Sequence, residues 1–155
     1  MKAIAKAILI AATVGAVSAP ALADPLDDAI TARRGYYQLV FSNFGPLVGM
    51  AKGQVDYDAD AAATFAGNLQ TLSELNNGHL WPAGSDNEAK AGKTRALPKI
   101  WDDFAGISEK GKAWKAAVGE LAGVAGDGLD AMRAKVGPVG EACGACHDDY
   151  RAKEF

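Results

Sequence analysis

The stretch 127–150, DGLDAMRAKVGPVGEACGACHDDY, places Leu129, Met132, Val136, Val139, Cys143, Cys146/His147 and Tyr150 three or four residues apart. That spacing lines up one face of an α-helix, which Asp127 is expected to cap after Gly126. The same period recurs three times upstream. A helix beginning near Pro98 carries Trp101, Phe104, Ile107, Trp114, Ala117/Val118, Leu121 and Val124/Ala125, with a break expected near Gly106 to Ser108. Another, capped by Asp58 or Asp60, carries Ala62, Phe65, Leu69, Leu72 and Leu75/Asn76 before Asn77-Gly78 stops it. The first runs from Asp27 to Ala51 with Ile30, Arg33/Arg34, Tyr37, Val40/Phe41, Phe44, Leu47/Val48 and Ala51 on its stripe. No run alternates with period two. Four amphipathic helices on mostly short links bury their stripes most simply as an all-α, antiparallel up-down-up-down four-helix bundle. Pro46 and Pro138 fall inside helical patterns, so kinks are expected at Gly45-Pro46 and Gly137-Pro138. The stretch from Gly78 to Leu97 lacks clear periodicity and has a length that compact domains usually keep for function; it contains His79, Trp81 and Pro82.

The chain has 155 residues, 49% hydrophobic and 23% charged, enough for one core and short for two domains. This composition excludes a disordered chain or a fibre. At the front, Lys2 and Lys6 precede an uncharged run from Ala7 to Val17, and Ala21-Leu22-Ala23 offers small residues where a signal peptidase reads. Residues 1–23 therefore read as a secretory signal removed after Ala23, with residues 24–155 forming the single mature domain. The apolar run is about half of what a membrane span needs, so no membrane insertion is expected. Arg33-Arg34 lies beyond the cut and is not a twin-arginine export signal. The mature chain keeps 14 basic and 19 acidic side chains, a net −5. That balance argues against a nucleic-acid partner and is read as serving solubility.

Cys143-Gly144-Ala145-Cys146-His147 is a C-x-x-C-H sequence, the attachment signature of c-type haem, in a chain exported to the periplasm where such attachment is made. Three and four residues apart on a helix, both sulfurs and the imidazole address one planar ligand. The thiols can bond the vinyl groups and His147 the iron. A zinc site would lack ligands, a thioredoxin-like dithiol would follow a strand, and a disulfide closing so short a loop contributes little. The eight residues after His147 hold no Met, His or Cys, so a sixth ligand must come from upstream. Met132 lies about 22 Å back along the same helix and belongs to the core. In an up-down-up-down bundle, the level of His147 on the first helix is near Arg33 to Tyr37, which puts Met50 about 20 Å away. Tyr37 therefore faces the iron, and a neutral phenol is a poor ligand for ferrous iron. A five-coordinate haem with an open distal face is expected, with His79 as the rival ligand.

The sequence resembles the cytochrome c′ family, the high-spin branch of class II c-type cytochromes. The resemblance runs through Ala32-Arg33 with Tyr36-Tyr37, Asn43-Phe44-Gly45, Lys52-Gly53-Gln54, Leu80-Trp81-Pro82-Ala83-Gly84, Lys99-Ile100-Trp101 and Cys143 through Arg151. It implies a bundle with one covalent haem c near one end, thioethers at Cys143 and Cys146 and a proximal ligand at His147. It also implies that Arg33 meets a haem propionate, that Arg151 is the proximal-side arginine and that Tyr37 holds the distal position. A haem with an empty sixth position is expected to carry single electrons, to bind the diatomic gases NO and CO, or both, and the likeness implies a homodimer through the first two helices. The redox partner protein is not specified. No enzymatic role is expected, since no distal acid/base residue suited to peroxidase-like chemistry can be placed. The competing readings are a low-spin carrier with His79 or a displaced Met50 on iron, and a haem-free helical interaction protein using Cys143 and Cys146 as a redox pair.

Overall fold

The structure is a computed structural model and describes residues 24–155; the expected export signal, residues 1–23, lies outside them. The first helix, α1 (Pro25–Ala51), starts where the Asp24 carboxylate accepts from the Leu26 N–H at 2.9 Å and Pro25 occupies a position whose N–H would be unpaired anyway. Asp27 and Asp28 in its first turn complement the helix dipole. Asp58, the earlier of the two candidate caps, accepts from Ala61 N–H at 2.8 Å and opens α2 (Ala59–Glu74).

The third stripe divides into α3 (Lys99–Asp102) and α4 (Phe104–Ala122). The break falls at Asp103, earlier than the Gly106–Ser108 expected from sequence. The Asp103 side chain accepts from the Gly106 N–H at 2.9 Å, so a carboxylate that captures a backbone donor starts a new helix there. The last helix, α5 (Leu129–Tyr150), corrects the expected Asp127 cap. Its entry residue is Gly128 at φ 128°, a conformation that favours glycine, and no side chain caps it. Pro46 and Pro138 sit inside α1 and α5, which run through both without interruption.

The four long helices close a ring in which α1 packs on α2 and α5, and α4 packs on α2 and α5. This is a four-helix bundle. Its interior is built from Leu47 and Met50 of α1, Ala62, Ala66 and Leu69 of α2, Val118 and Leu121 of α4, and Met132, Val136 and Val139 of α5. The short links meet at one end, where the Tyr57 hydroxyl donates to Ala125 C=O (2.8 Å) and accepts from Gly128 N–H (3.0 Å). At the other end the long connection between α2 and α3 makes one 3-10 turn, Gly78–Leu80, and then pairs with the end of α5. Ala96 and Arg151 form an antiparallel bridge, supported by Leu97 N–H to Tyr150 C=O (3.0 Å) and Ala152 N–H to Arg95 C=O (2.8 Å). Among the described residues there is no strand. No helix among them is long and apolar enough to cross a membrane.

Candidate functional site

Cys143, Cys146 and His147 lie in the last two turns of α5, at the end of the bundle where the long connection docks. Both thiols are free and half-buried. Burial, then the neighbouring Cys146, pushes the Cys143 thiol up, partly offset by the Trp114 indole N–H. That N–H is buried and approaches the Cys143 sulfur without a hydrogen bond of ordinary geometry. Burial also raises the Cys146 thiol, against the pull of Lys110. The His147 imidazole is lowered by burial first and then by the positive charges of Arg151 and Arg95. It is therefore neutral at pH 7 and has a nitrogen lone pair to offer.

A second, small apolar cluster surrounds this segment: Ala96, Ile100 and Tyr150, with Trp81, Trp101, Ile107 and Cys146 against it. Tyr150 donates from its hydroxyl to Asp103 Oδ2 at 2.7 Å, directly over Gly106. A Cβ on Gly106 would lie 2.2 Å from that hydroxyl and 2.5 Å from Asp103 Oδ2, so only glycine lets the contact form. The Trp101 indole donates to Trp81 C=O at 3.0 Å and ties α3 to the connection.

Across from α5, α1 presents Tyr37. It is 46% exposed, yet burial raises its hydroxyl far above the ordinary phenol value, followed by the effects of Tyr36, Cys146 and Cys143. Through Trp81 it adjoins the cluster that holds Cys146. Tyr37 packs edge-on against Tyr36 (5.0 Å) and Trp81 (6.3 Å). One turn further along α1, Phe41 is 71% exposed. Two turns on from Tyr37, Phe44 approaches α5 so closely that a Cβ on Gly140 would lie 3.9 Å from its Cζ. Tyr37 thus stands at the level of the cysteines, as the helix arithmetic required. Phe41 was read only as core, because a stripe position does not reveal whether its neighbour across the bundle is side chain or cleft.

One turn before Tyr37, Arg33 is 3% exposed. Its Nη1 donates to Leu80 C=O (3.3 Å) and Ser85 Oγ (3.0 Å), and its Nη2 to Ser85 C=O (2.8 Å) and Thr94 Oγ1 (3.0 Å). The guanidinium also stacks 4.3 Å from the Trp81 ring centroid. Arg33 therefore clamps the long connection onto α1, a role the sequence did not disclose, and its Nε–H is left over. Among the described residues no carboxylate lies within 4.0 Å of it. A buried cation without a counter-ion is costly, so the site is short of an anion. Arg151 follows α5, with Nη1 3.4 Å from His147 Nε2.

His79 is exposed on the 3-10 turn, and Met50 and Met132 are buried in the main core. No group of three or more His, Cys, Asp or Glu among the described residues could hold a metal ion by itself. A planar, apolar group carrying carboxylates at one edge fits what is present. Tyr37 and the exposed Phe41 supply aromatic rings on α1, two half-buried thiols and a neutral imidazole lie on α5, and Arg33 has no carboxylate partner.

The family model described as Cytochrome C' matches residues 28–151. A cytochrome c′ of Cereibacter sphaeroides is 40% identical over 146 residues, 94% of this chain and 97% of the relative. The structure of a cytochrome c′ from Rhodobacter sphaeroides superposes with a TM-score of 0.82 at 42% identity, covering 85% of this chain and all of the other. A ferrous variant of the Alcaligenes xylosoxidans cytochrome c′ with bound NO gives 0.72 at 34% identity, over 86% of this chain and all of the other. Another variant of that protein carries carbon monoxide, with a TM-score of 0.71 at 36% identity, 84% of this chain and 98% of the other.

Proposed function

This chain belongs to the cytochrome c′ family, whose members carry covalently attached haem c, and from that premise we propose that it is a periplasmic haem protein with five-coordinate high-spin iron, serving single-electron transfer, binding of NO and CO, or both. The observation that carries this reading is the packing of Tyr37 on α1 against Trp81, which shares one apolar cluster with Cys146 of the C-x-x-C-H segment on α5. Bound there, haem supplies a one-electron couple and a coordination position for a diatomic ligand.

The chain's own residues have separable tasks. Cys143 and Cys146 would hold the macrocycle by thioether bonds. His147, held neutral by burial and by Arg151 and Arg95, offers its lone pair to iron without first losing a proton. The Tyr37 hydroxyl stays protonated because burial disfavours the phenolate. A neutral phenol would be a poor ligand for iron, so Tyr37 would stand beside a bound haem as a ring and not as a ligand. Phe41 extends that apolar wall. Arg33 offers its remaining Nε–H and its unpaired buried charge to a propionate, and Arg151 lies on the proximal side against His147.

Residues 1–23 direct export and are cut after Ala23. The family likeness supports a homodimer through α1 and α2, where Leu39 stands exposed on α1. Addition of NO or CO to the reduced protein tests the reading: each gas is expected to shift the visible spectrum, and unchanged spectra with both would refute it.

A further inference from the structure

The last turn of α5, which carries His147, is the part of that helix its own sequence supports least. The helix ends at Tyr150, and the next residue, Arg151, is extended at φ −126° and ψ 124°. No glycine follows to close the end, and Asp148 and Asp149 put negative charge where the helix dipole is already negative. A helix end of this kind frays unless groups outside it supply partners. Two distant segments do so. From the long connection, Leu97 N–H donates to Tyr150 C=O at 3.0 Å, and Arg95 C=O accepts from Ala152 N–H at 2.8 Å. From α4, Lys110 Nζ lies 3.0 Å from Asp149 Oδ2, and the capping residue Asp103 accepts from the Tyr150 hydroxyl at 2.7 Å.

The tie between Asp103 and Tyr150 is more than packing. Tyr150 is 4% exposed, and its ring shares the small cluster with Ile100 and Cys146. A phenylalanine ring would fill the same space, so the apolar contacts do not call for a hydroxyl. Room for it comes from Gly106, where a Cβ would lie 2.2 Å from that oxygen, although glycine weakens the first turn of α4. Asp103 keeps its other oxygen on the Gly106 N–H at 2.9 Å, so its carboxylate is fixed in direction from both sides. A local rule is broken in α4, and the gain falls in α5, one turn beyond His147.

We propose that Tyr150 and Asp103 are positioning residues for His147: by holding the last turn of α5 against α4, they fix the direction in which the imidazole nitrogen is offered to haem iron. The proposal rests on the haem reading above. His147 belongs to the held turn through its own carbonyl, which accepts the Arg151 N–H at 3.1 Å, and through its chain neighbour Cys146, which packs on the Tyr150 cluster. A ligand confined to a narrow range of angles needs a backbone confined as closely, and groups outside the ligand set supply that restraint.

Three variants of the full holo-protein test it. Tyr150→Phe keeps the ring and removes the tie. Asp103→Asn keeps a hydrogen bond across the same gap, its amide donating to the Tyr150 oxygen while its carbonyl accepts from Gly106. Tyr57→Phe removes a hydroxyl with two hydrogen bonds at the opposite end of the bundle and measures the effect of lost stability alone. In the ferrous state, the iron–histidine stretching band is expected to broaden and move to lower frequency in Tyr150→Phe, and to keep its native position in Asp103→Asn and Tyr57→Phe. Amide exchange, which needs no haem, should quicken about tenfold at residues 148–152 in Tyr150→Phe and change little at residues 118–132. An unmoved band in Tyr150→Phe, a displaced one in Asp103→Asn or Tyr57→Phe, or native exchange at 148–152 in Tyr150→Phe would overturn the proposal. If the purified chain carries no haem and residues 148–152 still loosen in Tyr150→Phe, the haem reading fails while the tie on the His147 turn stands.

Discussion

Removing the Arg33 guanidinium would leave the hydroxyls of Ser85 and Thr94 and the carbonyls of Leu80 and Ser85 without their donor in a buried setting. Hydrogen bonds to a charged group each contribute about 1.5–3 kcal/mol, not additively. Arg33→Ala is therefore expected to lower stability by about 3 kcal/mol in urea titrations and to loosen residues 80–94 first. Arg33→Lys should recover only part, since an ammonium cannot make both forked contacts. In the proposed reading, Tyr37→Ala would remove the ring that crowds the iron's open side. Carbon monoxide association measured by flash photolysis should quicken about tenfold, a barrier change of about 1.4 kcal/mol. An unchanged rate would place another side chain, with Phe41 the first candidate, over the iron. Gly106→Ala forces a Cβ into the Tyr150–Asp103 hydrogen bond and is expected to lower Tm by several degrees. Tyr150→Phe in the same chain should restore part of that loss by removing the atom that is struck.

Each long helix was visible as a stripe, but α2 shows that its boundaries were so only in part: of the two candidate caps Asp58 is used, and the helix ends at Glu74, before the Asn77-Gly78 expected to stop it. The start of α4 was not legible in the same way. Asp103 sits inside a continuous apolar pattern, and only in the folded chain does its carboxylate turn back to the Gly106 N–H, with Tyr150 holding its other oxygen. The entry to α5 failed for a related reason. A carboxylate at 127 signals a cap, but Gly128 at φ 128° redirects the chain and takes over the position. The long connection gave no periodicity because its order comes from distant partners: Arg33, the Ala96–Arg151 bridge, and the ion pairs of Lys90 with Asp24 and Asp27 and of Lys93 with Asp27. Those pairs set a pH dependence. Hydrogen bonds from Lys90 to Asp24 and from Lys93 to Asp27 hold both carboxyls below their ordinary 3.8. Because the folded values are depressed, the stabilisation is present above 3.8 and is lost as pH falls through the lowered values. Proteolysis or hydrogen exchange between residues 86 and 97 should accelerate as pH drops below about 4. Asp27→Asn should bring that loosening to neutral pH.

At the scale of the whole molecule, the apolar interior divides into a main cluster across the four long helices and a small one at the end that holds Cys146. The bundle was readable from spacing, since it depends on helical geometry alone. The exposure of Phe41, the setting of the Trp114 indole and the burial of Arg33 were not, because each depends on segments distant in sequence. If haem joins the two clusters, replacing both Cys143 and Cys146 by Ser should leave the main core cooperative and loosen the end. Amide protection at residues 96–100 and 147–152 should fall at least tenfold, about 1.4 kcal/mol, with that of residues 118–132 little changed. The visible spectrum of the purified ferrous protein bears most directly on the central reading, that haem is fixed to Cys143 and Cys146 with His147 as the one protein ligand to iron. A single broad band between 500 and 600 nm, from a pigment that stays with the denatured chain, is the expected result; sharp split bands, or no such absorption, would contradict it.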